Sequence, residues 1–169
     1  AHNQDGDITY HDMYEYSWPA VLERLTGTTY NNYSRGGMTA REFVETWADE
    51  NNFWKWNQAY IVALGNNDVF VCGQAPGSAA DIHPDRPELN PDTLFGDLGR
   101  ILSRLKGIER DARIFLVSMQ RRGEELGDPV ILGIAEEMKK VCGLFSFTYL
   151  IDMSHDGPAY DEEMRRTFG

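Results

Sequence analysis

A chain of 169 residues, 41% hydrophobic and 25% charged, can bury one substantial core without a disulfide or metal staple. Its formal net charge of −11 disfavours nonspecific contact with nucleic-acid phosphates or anionic membrane, which attract basic surfaces, so neither nucleic acid nor membrane is expected as a partner. No apolar run approaches transmembrane length, and the polar stretch Ala1 to Tyr10 lacks the basic and apolar regions of a signal peptide; cytoplasmic residence and secretion after leader removal both stay open.

Ser17-Trp18-Pro19 predicts the start of a helix, with a capping serine and a proline in the first turn, and Gly27 predicts its end. Thr28 to Tyr33 then reads as a short strand. Thr39 and Glu42 have capping-box spacing, and Phe43, Val44 and Trp47 form the apolar stripe of the helix that follows. Asn51 and Asn52 favour an exit loop before a strand over Ala59 to Leu64. Cys72 to Pro91, rich in Gly, Pro and Asp, is too long for a tight turn and reads either as a loop bordering a site or as an irregular surface insertion. Beyond it come a helix over Thr93 to Lys106, a strand over Arg113 to Met119, a helix capped by Asp128-Pro129, and a strand over Phe147 to Asp152.

No repeat, low-complexity tract or linker divides the sequence, so residues 1–169 read as a single domain. The βα alternation argues for an α/β, three-layer, doubly wound fold with a mainly parallel sheet and helices on both faces. Cys72 and Cys142 are far apart and form no metal-ligand cluster, which makes reduced, structural thiols the default.

Asn66-Asn67-Asp68 follows the apolar run Tyr60-Ile61-Val62-Ala63-Leu64-Gly65, which places carboxamides and a carboxylate at a strand's C-terminal end, where open α/β sheets bind ligands. A rigid strand and a sharp glycine turn would let Asn67 aim an N–H at a developing oxyanion. Ordinary turn chemistry is the competing explanation. Asn32-Tyr33-Ser34-Arg35-Gly36-Gly37-Met38-Thr39, taken together with Gly65-Asn66-Asn67-Asp68, resembles the SGNH (GDSL-type) hydrolase superfamily. The likeness extends through Ser17-Trp18-Pro19 and Tyr160-Asp161-Glu162-Glu163 and implies a flavodoxin-like sheet. It makes the Gly37 amide and the Asn67 carboxamide the two oxyanion donors, and Arg35 and Asp68 substrate-binding residues.

The sequence departs from that superfamily in two places. A nucleophilic serine is expected just after the first strand, yet no serine precedes Ser17, and Gly6-Asp7-Ile8-Thr9 reads like the signature with its serine removed. A general-base histidine is expected near the C-terminus, about where Gly169 ends the sequence. The resemblance therefore implies a domain truncated at both ends, and a sheet whose missing strand is supplied by the N-terminal residues or by residues outside this sequence. Asp152-Met153-Ser154-His155 has Asp-x-x-His spacing and is the alternative dyad, with a polar strand-to-loop turn as its competing explanation. His2, His11 and His83 sit in polar, loop-like contexts without a defined partner.

The expected function is carboxylic ester hydrolysis of a small acyl ester, with a small acyl group on carbohydrate preferred, and with no metal or organic cofactor. This sequence alone is expected to show no appreciable esterase activity. Two other classes stay open: a noncatalytic binder of carbohydrate or another polar ligand through Trp18, Trp54 and Trp56, and a phosphate or flavin module. No Gly-rich phosphate fingerprint follows a predicted strand, which disfavours the last. Oligomeric state is not legible.

Overall fold

The computed structural model describes residues 14–168. Expectations for His2, Gly6-Asp7-Ile8-Thr9 and His11, and for an N-terminal strand, lie outside the described residues. The chain divides into two compact units, Ala1–Arg35 and Gly36–Gly169.

In the first unit, α1 (Trp18–Thr26) begins where the proline predicts and ends at Gly27, whose N–H still bonds Glu23 O while its φ of +69° turns the chain out of the helix. Ser17 occupies the N-cap position, but its side chain makes no capping hydrogen bond. Thr28 to Tyr33 does not form the expected strand. Local side chains satisfy backbone donors instead: Thr26 Oγ1 accepts the Thr28 N–H at 3.2 Å, and Asn32 Oδ1 accepts the Ser34 N–H at 3.0 Å. A strand needs a neighbour's ladder, and these polar side chains offer the backbone another solution.

The second unit is a mixed helix and strand assembly around a small parallel sheet, the architecture of an α/β fold. β1 (Ala59–Val62), β2 (Arg113–Val117) and β3 (Thr148–Ile151) lie in that order, both pairings parallel. Register aligns Tyr60 with Ile114 and Ile114 with Thr148, so one face carries Tyr60, Val62, Ile114, Leu116, Thr148 and Leu150. Val62, Ile114 and Leu116 of this face join the main core with residues of α4 (Leu94–Ile108) and α5 (Gly127–Cys142). The other face carries Phe115 stacked on Tyr149 at 5.6 Å; Tyr149 and Ile151 stay exposed there. Among the described residues β1 has a strand neighbour on one side only.

The long helices follow from their patterning. Leu94, Leu98, Ile101, Leu102 and Leu105 recur at helical spacing and are all buried, and Thr93 Oγ1 accepts the Gly96 N–H at 3.1 Å to cap α4. α5 starts one residue before Asp128 and carries Asp128 and Pro129 inside its first turn rather than at the cap. α2 (Ala40–Glu42) runs through a π turn (Phe43–Trp47) into α3 (Ala48–Glu50), and Asn52 then turns the chain with φ +54°. Thr39 Oγ1 accepts the Glu42 N–H at 3.0 Å, the expected cap. The loop from Cys72 to Pro91 contains 3₁₀ turns at Ala79–Asp81 and Pro87–Leu89, the first fixed by a Ser78–Asp81 capping box. A short α6 (Glu162–Phe168) follows β3 after a turn-rich segment. Cys72 is exposed, Cys142 is half-buried, and no disulfide joins them; burial raises the Cys142 thiol pKa above its usual value. No described helix is long and apolar enough to cross a membrane.

Candidate functional site

All three strands are parallel, so their C-terminal ends share one edge of the sheet, and Asn67 and Asp68 follow β1 there while Asp152 and His155 follow β3. β1 leads through Gly65 into a π turn, Asn67–Val71. Gly65 has φ +122°, and a Cβ at this position would meet Leu94 Cδ2 at 3.1 Å. The backbone conformation therefore favours glycine, and the close packing on α4 leaves little room for a side chain. Its buried position brings Asn67 and Asp68 against the start of α2.

Two hydrogen bonds tie the separate motifs together. Asn67 Nδ2 donates to Met38 O at 2.9 Å, and Asp68 Oδ1 accepts the Ala40 N–H at 2.8 Å. Gly37, with φ +78° and open space where a Cβ would stand, immediately precedes Met38. The Asn67 carboxamide thus lies against the residue that follows Gly37. One N–H of the Asn67 amide is held by Met38 O, and an amide nitrogen carries a second. Arg35 belongs to the other unit.

Asp68 departs from its expected role. Its side chain is completely buried, so it cannot be a direct substrate contact in this conformation. It fastens the Asn67 turn to the N-terminus of α2, where helix N–H groups favour a carboxylate. Burial raises its pKa above the usual value, the N–H groups of Ala40 and Arg41 oppose that rise, and the Asp97 charge reinforces it. Its Oδ2 is buried without a hydrogen-bond partner. Beside this junction lies an open hollow of about 370 Å³ bordered by Thr39, Arg41, Cys72, Gln74 and Asp92. A hollow of about 410 Å³ among Val44, Pro87, Arg100 and Arg104 contains none of the candidate catalytic or substrate-binding residues.

At the end of β3, Asp152 and His155 do form a pair: His155 Nδ1 lies 2.8 Å from Asp152 Oδ2. Asp152 Oδ1 also accepts from Ser118 Oγ at 3.0 Å, from the Ser154 N–H at 3.1 Å and from Ser154 Oγ. Partial burial would raise the Asp152 pKa, but the hydrogen bonds from Ser154, His155 and Ser118 outweigh it and hold the carboxyl down at about 2. An ionised carboxylate at Nδ1 favours the tautomer with its proton there, which leaves Nε2 as the basic nitrogen. The His155 side chain is 51% exposed.

This pair lacks the relay arrangement of a triad. A nucleophilic hydroxyl must approach the imidazole nitrogen opposite the carboxylate. Ser154 Oγ instead lies 3.1 Å from the same Nδ1, is fully buried, and donates to Asp152. It fixes the carboxylate. β1 and β3 are separated by β2, which sets their ends roughly 10 Å apart.

The sequence reading overlooked the end of β2. Ser118 holds Asp152, while Arg122 Nη2 donates to Asn66 Oδ1 at 3.2 Å and its guanidinium lies over Phe70. Gln120 donates to Pro158 O, and the Tyr160 N–H to Arg121 O. The loop after β2 therefore links the segments that follow β1 and β3. The strand-end rule that drew attention to Asn67 applies equally to Ser118-Met119-Gln120-Arg121-Arg122, and was the available signal. Comparison with known proteins found no family model, no curated protein and no solved structure that matches this chain.

Proposed function

We propose that this chain carries the oxyanion-binding part of an SGNH-type carboxylic ester hydrolase with a flavodoxin-like sheet, acting on a small acyl ester. The observation that carries the reading is the Asn67 Nδ2 bond to Met38 O, because it brings a side-chain donor against the loop whose Gly37 supplies a main-chain donor. Preorganised N–H groups of this kind stabilise a tetrahedral oxyanion without reorganising during the reaction. In this scheme the nucleophile attacks the acyl carbonyl while Gly37 and Asn67 receive the developing charge, and Asp68 keeps the two segments in register. The Asp152–His155 pair at the end of β3 is the alternative base in this scheme, with Nε2 the nitrogen opposite the carboxylate. The scheme uses no metal or organic cofactor.

Turnover of a short-chain aryl ester by the natural full-length protein tests this. Asn67→Ala is expected to lower the rate by about a hundredfold or more with little change in folding. Equal turnover by variant and parent refutes the assignment. One observation favours a second reading, a noncatalytic binder of carbohydrate or other polar ligand: Ser154, the hydroxyl beside His155, is committed to Asp152. Saturable binding of a polar ligand without ester turnover by the full-length protein would select that reading.

A further inference from the structure

Arg122 is held in place at the candidate site without being neutralised. Its guanidinium carbon lies 4.6 Å from the Phe70 ring centroid, and Nη2 donates to Asn66 Oδ1 at 3.2 Å. Both anchors belong to the segment around Asn67. A guanidinium offers five N–H donors, and the Asn66 contact uses one. Elsewhere Arg41, Arg100 and Arg104 each lie within 4.0 Å of an aspartate carboxylate. Among the described residues no ion pair includes Arg122; Asp128 accepts its main-chain N–H at 2.7 Å rather than its guanidinium.

The sequence has 27 Asp and Glu against 16 Lys and Arg, so unsatisfied positive charge at one strand end stands against the general field. The neighbouring Arg121 adds a buried Nε without a hydrogen-bond partner. Stacking on Phe70 limits the side chain's freedom before a ligand arrives, and partial burial strengthens any charge-assisted hydrogen bond it then makes. A planar fork matches the two oxygens of a carboxylate.

We propose that Arg122 is the anion-binding arm of this site, so that the preferred ligand is an acyl ester that also bears a carboxylate. This inference rests on the ester hydrolase reading for the position of the carbonyl. Arg122 selects the ligand's charged end, while Asn67 and Gly37 receive its carbonyl oxygen.

The test titrates the full chain with monomethyl succinate, which keeps one carboxylate, and with dimethyl succinate, which has none. Nuclear magnetic resonance follows the Asn67 carboxamide and the Arg122 side-chain N–H signals. Monomethyl succinate is expected to bind about tenfold or more tightly than the diester, with the preference shrinking as salt is added. Arg122→Gln is expected to bring the ratio of affinities to about one, and Arg122→Lys to retain part of it. Equal affinities in the parent, or an undiminished preference in Arg122→Gln with an unchanged melting temperature, overturn the inference. If both esters shift Asn67 without a preference, the anion arm fails and the hydrolase reading survives. If neither ester shifts Asn67, the hydrolase reading fails, and a selective shift of Arg122 by the monoester still supports the anion arm.

Discussion

Replacing Asp152 by Asn tests whether the β3-end network is held by charge. The side chain is 24% exposed, ionises at about 2 instead of the usual 3.8, and accepts from Ser118, Ser154 and His155. A depressed folded-state pKa means that the unfolded chain binds the proton more readily. The stabilisation is therefore present above the unfolded pKa and is lost as pH falls through the folded value. At about 1.4 kcal/mol per pH unit the interval from 3.8 to about 2 corresponds to about 2.5 kcal/mol, and solvent screening reduces this to about 1 kcal/mol. The assay is urea unfolding of parent and Asp152→Asn between about pH 2 and pH 5, below the range in which an ordinary histidine titrates. The parent's advantage over the variant is expected near pH 5 and to fall by about 1 kcal/mol towards pH 2. A stability difference that stays constant across this range would refute the charge argument and reduce Asp152 to a neutral hydrogen-bond acceptor.

Phe95 is completely buried in α4, and Phe95→Ala is expected to cost about 3–5 kcal/mol in urea unfolding by leaving a cavity among packed side chains. Gly65→Ala puts an L residue at φ +122° with its Cβ 3.1 Å from Leu94 Cδ2, so a loss of about 1–3 kcal/mol is expected, together with a shifted Asn67 carboxamide resonance. A stability equal to that of the parent in either variant would contradict the packing described.

Periodicity alone made α4 legible. Leu94, Leu98, Ile101, Leu102 and Leu105 line one helical face, and burying such a stripe stabilises the helix wherever its partners come from. The apolar runs of β1, β2 and β3 were legible for a similar reason, since a buried parallel strand requires them, although each observed strand is shorter than its run. The glycine turn after β1 and the Thr39 cap are local chemistry, carried by neighbouring residues. Thr28 to Tyr33 shows the limit of that logic: its residue types suit a strand, but a strand forms only against a neighbour's backbone. The π turns at Phe43–Trp47 and Asn67–Val71 had no sequence signal that we could identify.

The site was legible as motifs and not as an arrangement. Gly37, Asn67, Asp152 and His155 stand out by spacing, whereas contacts between distant segments decide what each does. Asn67 meets Met38, Asp68 meets Ala40, Ser118 meets Asp152, and Arg122 meets Asn66, across separations of 29, 28, 34 and 56 residues. Sequence determines which hydrogen-bonding groups and apolar stripes exist, because these are properties of residue type and local period. Only the tertiary structure decides that Asp68 is enclosed, that Ser154 is committed to a carboxylate, and that Arg122 stands over Phe70 without an acidic partner among the described residues. Burial and pairing depend on what other parts of the chain bring to the same place, and the parallel sheet brings those parts together at its C-terminal edge.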